Sequence, residues 1–414
     1  MYQLVPLMLV KGFSAVSAFI LTLLIVRLLN PDGAGRVLLV ITIVTVLSNI
    51  FKFGLDVPVL RFLSVGSKAP ARPGLITLAI VWSLLLACPI IAVLYSVSGG
   101  LVTSVFGKPE LLPTLRMGLL AVPFFSVAFL VSRALLAKGL PVQSSFFEGV
   151  GVSAVFILLI FFFAFLEVAP FDDRVLIGLY LGSAIFVLIL SLFVCARRCG
   201  FSLPNRFVDL EMFRSAWNYW VATLMNMLVQ WSGLVVAAIF ISSRDVAYLS
   251  AAQRVASLVS FILIVINMLV APKFALYSNE GELYRLKRLA KRSCRLVSSV
   301  AFCMLVFILL FSDKIMLIFG PEYVSAVGWL SVLALGQFIN AATGSVGVIL
   351  NMTGHEREFR TLTLYVGPFT VVLSFVLASN WGASGAACAT ALGLALQNVG
   401  AFVLVKRRLG FWAC

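Results

Sequence analysis

Histidine occurs once in this 414-residue chain, acidic residues number only 16, and charged residues of both signs make up 11% of the composition. Titratable groups for a catalytic centre are correspondingly scarce, and no catalytic residue is assigned. The seven cysteines are Cys88, Cys195, Cys199, Cys294, Cys303, Cys388 and Cys414. None falls in the paired Cys/His spacing that structural zinc needs, and the step from Cys195 to Cys199 is read as a helix-end coincidence. Neither a metal nor a cofactor is expected. The chain is instead 62% hydrophobic, with a mean hydropathy of +1.11, whereas soluble domains are about half apolar. It reads as an all-α polytopic membrane protein.

A helix crosses the hydrocarbon with about 20 apolar residues. Windows of that kind run at residues 4–29, 36–60, 74–96, 111–137, 142–166, 175–195, 215–241, 246–272, 296–319, 324–350, 361–380 and 382–405. These twelve spans leave about a dozen residues per connection, which excludes a soluble catalytic domain. Uninterrupted apolar runs such as Val175 to Ala196 exclude a barrel, whose strands would alternate polar and apolar residues. The first window has no basic leader ahead of it and no small-residue cleavage site after it, so it is expected to be a retained span.

The net charge of +15 would suggest nucleic acid in a soluble protein, but its placement gives another reading. Basic residues fall on alternate connections: Arg61, Lys68 and Arg72; Arg133 and Lys138; Arg197, Arg198, Arg206 and Arg214; Lys273 and six more from Arg285 to Arg295; Arg357 and Arg360; Lys406, Arg407 and Arg408. That is 21 of the 31 basic residues, and the opposite ends carry seven. By the positive-inside rule both termini are cytoplasmic, and no nucleic-acid partner is expected. Arg285 to Arg295 is read as a solvated orientation signal, with contact to anionic headgroups as the alternative.

The two halves share punctuation at an offset of 213 to 215 residues: Asp32 with Asp245, Pro58 with Pro272, Gly107 with Gly320, and Gly139 with Gly354. Six helices plus six with the same sidedness imply a parallel internal repeat. The expected organisation is an N-terminal lobe at 1–200, a cytoplasmic linker at 201–214 and a C-terminal lobe at 215–414. Transporters built on such repeats place substrate between the halves and alternate access by rocking them.

Several stretches carry a family resemblance: Arg27-Leu28-Leu29-Asn30-Pro31-Asp32-Gly33-Ala34-Gly35, Phe53-Gly54-Leu55, Phe319-Gly320-Pro321-Glu322-Tyr323, Leu350-Asn351-Met352-Thr353-Gly354-His355 and Trp381-Gly382-Ala383-Ser384-Gly385-Ala386-Ala387. Over essentially the whole chain these resemble the polysaccharide flippases of the multidrug, oligosaccharidyl-lipid and polysaccharide exporter superfamily. The resemblance implies translocation of undecaprenyl-pyrophosphate-linked oligosaccharide across a bacterial inner membrane. It also implies membrane lipids and polysaccharide polymerase machinery as partners. Relatives often carry an acid within the seventh helix, where this chain has Gln230-Trp231-Ser232-Gly233, which puts ion coupling there in doubt. The competing readings are a cation-coupled multidrug exporter and a polytopic glycosyltransferase or polysaccharide ligase.

An ionisable group at membrane depth is expensive unless it faces a cavity or a partner. Lys11, Lys52, Arg254 and, through the family, Arg27 are the candidate cations for a pyrophosphate, and Asp56 and Glu148 the candidate coupling carboxylates. Each has a plainer reading. Lys11 snorkels, as do Arg116 and Arg133 near helix ends; Lys52 and Asp56, four apart, form an intrahelical pair; Glu148 pairs with Lys138 or Arg133. Asn226 and Gln230 are the candidate sugar contacts, with interhelical hydrogen bonding as their alternative.

Overall fold

The computed structural model describes residues 4–63, 74–167, 170–200, 202 and 210–414. Lys68, Arg72, Arg206 and most of the 201–214 linker lie outside the described residues. Among the described residues thirteen helical segments follow in order: α1 Leu4–Leu28, α2 Pro31–Phe51, α3 Asp56–Leu63, α4 Leu75–Phe106, α5 Leu111–Ala137, α6 Pro141–Phe165, α7 Asp173–Cys199, α8 Leu210–Phe240, α9 Ser243–Asn279, α10 Leu283–Leu310, α11 Ser312–Phe319, α12 Pro321–Met352 and α13 Glu356–Leu409. Among the described residues, eleven helices are long and apolar enough to cross a membrane. The last of them, 54 residues long, is broken at Gly382 (φ 57°, ψ −133°), which makes two spans of it. The chain is a multi-pass membrane protein of about twelve spans.

Glycine and helix caps set the breaks. Asn30 caps α2 by accepting from the Gly33 N–H at 2.8 Å, with Pro31 in the first helical position. Ser242 caps α9 in the same way through the Asp245 N–H. Gly139 and Gly354 both adopt left-handed backbone at helix ends, φ 79° and 81°, so one pair of the repeated punctuation marks has the same local job in each half.

The sequence boundaries need two corrections. The window at 36–60 is not one helix: α2 stops at Phe51, and residues 52–55 form a turn with Phe53 at φ 49° and Gly54 at φ 67° before α3 begins. A hydropathy window sums apolar character and is blind to such a break. The ninth span runs from Leu283 to Leu310, not 296–319: the basic stretch is itself helical, and Ser312–Phe319 is a separate helix, α11. Leu286, Ala290, Ser293, Cys294 and Val297 are buried at helical spacing while Arg285, Lys287, Arg288, Arg292 and Arg295 stay exposed. Charge hid the amphipathic period from an average over the window.

The chain falls into two compact units, Met1–Leu224 and Met225–Cys414. In the first, α5 is the most buried span. Its small residues admit neighbours closely: a Cβ on Gly118 would overlap Val40 of α2. Ser48 Oγ donates to the Val122 carbonyl and Ser126 Oγ to the Ser48 carbonyl, at 3.4 and 3.1 Å, cross-linking α2 to α5. In the second unit, a Cβ on Gly336 would press on Ala391 and one on Gly233 would overlap Thr390, so glycines seat α12 and α8 against the second half of α13. Cys294 and Cys414 lie within disulfide range, Cα atoms 5.4 Å apart, a proximity that a sequence separation of 120 residues does not reveal.

Candidate functional site

Five of the ionisable groups that lipid should forbid, Lys11, Lys52, Asp56, Arg133 and Glu148, are paired within the first unit. Glu148 sits in a π-helical turn, Phe146–Val150, inside α6, an irregularity that re-aims side chains and recurs at functional sites. Its neighbour Gly149 lets α1 approach so closely that a Cβ there would stand 2.6 Å from Ser14 Oγ. One helical turn from Ser14, Lys11 then reaches Glu148 Oε2 at 3.3 Å. From α5, Arg133 Nη2 reaches Glu148 Oε1 at 2.6 Å. Of the two partners weighed for Glu148, Arg133 is engaged, and Lys11 is a second.

Lys52 and Asp56 are paired at 2.8 Å, both largely buried. They meet across the 52–55 turn and not along a continuous helix face. Lys52 Nζ also lies 5.9 Å from the Phe129 ring centroid, and Phe129 is one turn from Arg133 on α5. Five charged side chains from α1, the α2–α3 turn, the start of α3, α5 and α6 are thus gathered around one stretch of α5. Lys11, Lys52 and Arg133 outnumber Glu148 and Asp56 by one positive charge. Such a group is suited to receive an anion, since Arg and Lys donors need only exchange one carboxylate for another oxyanion. Arg27 lies elsewhere: it is exposed and sits roughly 24 Å along α1 from Lys11 at 1.5 Å per residue.

The turn between α2 and α3 is held by residues of α8. Trp220 donates its indole N–H to the Ile50 carbonyl at 2.8 Å. That carbonyl, in the last turn of α2, also accepts the Phe53 N–H at 3.0 Å. The Phe53 ring stacks on Trp220 at 6.0 Å, and Gly54 lies against the Ala216 carbonyl and the Trp220 N–H.

In the second unit Arg254 is half-buried in α9, just before a 3-10 turn, Ser257–Ser260. The Gln253 side chain donates to the Gln230 carbonyl at 3.0 Å, while the Gln230 side chain is exposed. Asn226 Oδ1 accepts from Gln397 at 2.9 Å, an interhelical bond of the kind weighed for it. Ser260 donates to Gln337 at 2.7 Å. Asn267 Oδ1 is buried with no hydrogen-bond partner among the described residues.

A second network escaped the sequence entirely. Arg36 donates to Asp173 at 2.8 Å and to Glu110 at 2.6 Å, and Thr114 also donates to Asp173, at 3.1 Å. It ties together the starts of α2, α5 and α7. Nothing local in the sequence marks partners of Arg36 that lie 74 and 137 residues away.

Comparison with known proteins gives the family and the fold. A sequence-family profile described as "Polysaccharide biosynthesis protein" matches residues 24–328. "Probable flippase AglR" of Haloferax volcanii is 23% identical over 227 residues, which is 54% of this chain and 48% of that protein. The chain therefore spans about half the length of this curated relative. Among solved structures, an inward-facing multidrug resistance MATE family transporter of the MOP superfamily superposes with a TM-score of 0.79 at 14% identity, covering 97% of this chain and 94% of its own. The lipid II flippase MurJ in an inward closed conformation gives 0.70 at 14% identity, over 97% and 87%. At such identities these likenesses concern the fold.

Proposed function

The chain belongs to the polysaccharide biosynthesis protein family, and from that premise we propose that it is a flippase. It carries undecaprenyl-pyrophosphate-linked oligosaccharide from the cytoplasmic to the periplasmic leaflet of a bacterial inner membrane and delivers it to the polymerase machinery. The observation that carries this reading is the cation-rich cluster of Lys11 on α1, Lys52 at the end of α2 and Arg133 on α5. A charged lipid headgroup is the anion that such depth calls for. A cation-coupled exporter would use a carboxylate free to exchange its ion, whereas Asp56 and Glu148 are both engaged in ion pairs. Both termini face the cytoplasm in this reading. A thiol introduced at exposed Glu167, with the other cysteines replaced, is then labelled from outside by an impermeant maleimide, and Cys414 alone is not. Labelling of Cys414 and protection of position 167 would reverse the orientation.

A pyrophosphate carries about two negative charges, and moving them out of a negative interior releases about 4 to 5 kcal/mol at 100 mV if the protein's own cations move little across the field. Reconstituted protein should therefore flip a fluorescent lipid-linked oligosaccharide faster under a valinomycin-imposed potential, with no gradient of sodium or protons. Arg254→Ala should lose this activity and Arg254→Lys keep part of it, because lysine retains the charge but not the two-pronged donor set. Wild-type rates from Arg254→Ala, or an absolute requirement for a sodium or proton gradient, would refute the proposal.

A further inference from the structure

The two halves of α13, on either side of Gly382, run back along each other and leave an open groove on the second unit, with a volume of about 1020 Å³. Gly400 deepens it: a Cβ there would stand 2.8 Å from a Leu362 methyl. Its walls, among them Tyr365, Phe369, Leu396 and Val399, are apolar or aromatic, and these four are 75, 51, 45 and 47% exposed. One end alone is charged, by Arg357, Glu358 and Arg407. Glu358 is held by Arg408 at 3.3 Å. Among the described residues neither Arg357 nor Arg407 has a salt-bridge partner, and both are exposed.

We propose that this groove is the binding site of one resident glycerophospholipid with an anionic headgroup. Its phosphate lies between Arg357 and Arg407, and an acyl chain runs along the groove past Tyr365 to Phe369. The dimensions agree: twelve residues from Arg357 to Phe369 span roughly 18 Å of helix, and one leaflet of hydrocarbon is about 15 Å thick. Basic ends of grooves between membrane helices are where anionic headgroups bind. The occupant is a resident lipid and not the transported one. A headgroup that crosses the membrane needs polar contacts along its route, and beyond Thr361 this lining offers one hydroxyl, that of Tyr365, among Leu362, Val366, Phe369, Leu396 and Val399. The inference is independent of the flippase reading, because it concerns binding alone.

The test is native mass spectrometry of the full chain, delipidated in detergent and titrated with phosphatidylglycerol or phosphatidylcholine. One tightly held phosphatidylglycerol per chain is expected, bound about 30-fold more strongly than phosphatidylcholine, as two basic contacts of ordinary strength would give. Arg357→Gln with Arg407→Gln should erase that preference, and these exposed positions leave folding undisturbed. Val399→Trp should fill the groove and weaken both lipids while the arginines remain. Equal affinity for the two lipids, or an unchanged preference in the double glutamine variant, overturns the site. Displacement of phosphatidylglycerol by an equimolar polyprenyl pyrophosphate also overturns it, because the groove would then belong to the transported lipid.

Discussion

Replacing Gly54 by alanine is expected to destabilise the protein by more than about 3 kcal/mol, enough to lose most of the folded material. Two costs combine. Gly54 has φ 67°, and holding a residue with a Cβ in left-handed backbone costs about 1–2 kcal/mol. The new methyl would also overlap the Ala216 carbonyl oxygen and crowd the Trp220 nitrogen. Both are backbone atoms of α8 that no rotamer change can move aside, which places the substitution among the overpacking changes of large effect. Gly107→Ala separates the two costs: its φ is 61°, yet nothing lies within 4 Å of its would-be Cβ. It should lose only the conformational part. Thermal melts and size-exclusion recovery in detergent provide the comparison. Equal losses in the two variants would show that the packing of α8 on the α2–α3 turn is not what fixes Gly54.

Glu148→Gln is expected to cost about 1–3 kcal/mol, because it removes the one carboxylate shared by Lys11 and Arg133 and leaves two cations facing each other. The figure lies below that of a fully buried pair because 22 to 27% of each of the three side chains is exposed and water screens what it reaches. Removing one cation as well should recover part of the loss: Glu148→Gln with Lys11→Gln should be less damaging than the two single changes added together, by about 0.5 kcal/mol or more. Denaturation of all four proteins in one detergent closes the cycle. A Glu148→Gln protein as stable as the parent, or strictly additive losses, would mean that the three groups are held apart by water.

Much of the architecture was legible because it rests on local sums. Whether a stretch of about 20 residues can cross a membrane depends on those residues alone, so α1, α5, α6 and the two halves of α13 are read within a few residues of their observed bounds. Glycine breaks are similarly local: Gly382 turns the chain where the windows 361–380 and 382–405 meet. Lys11, Lys52, Asp56 and Glu148 were recognisable as special for the same reason, since a charge inside an apolar run needs no partner to be noticed. Tertiary structure decided what each of these charges does. Glu148 finds Lys11 at a separation of 137 residues because Gly149 lets α1 and α6 touch. Lys52 meets Asp56 because α2 ends in a turn, and Trp220, 170 residues from Ile50, bonds the carbonyl at that end. Arg357 and Arg407 come to one end of a groove because α13 folds back on itself. Hydropathy and spacing carry no term for any of these approaches. They are set by which helix faces pack together, and that is a property of the whole chain.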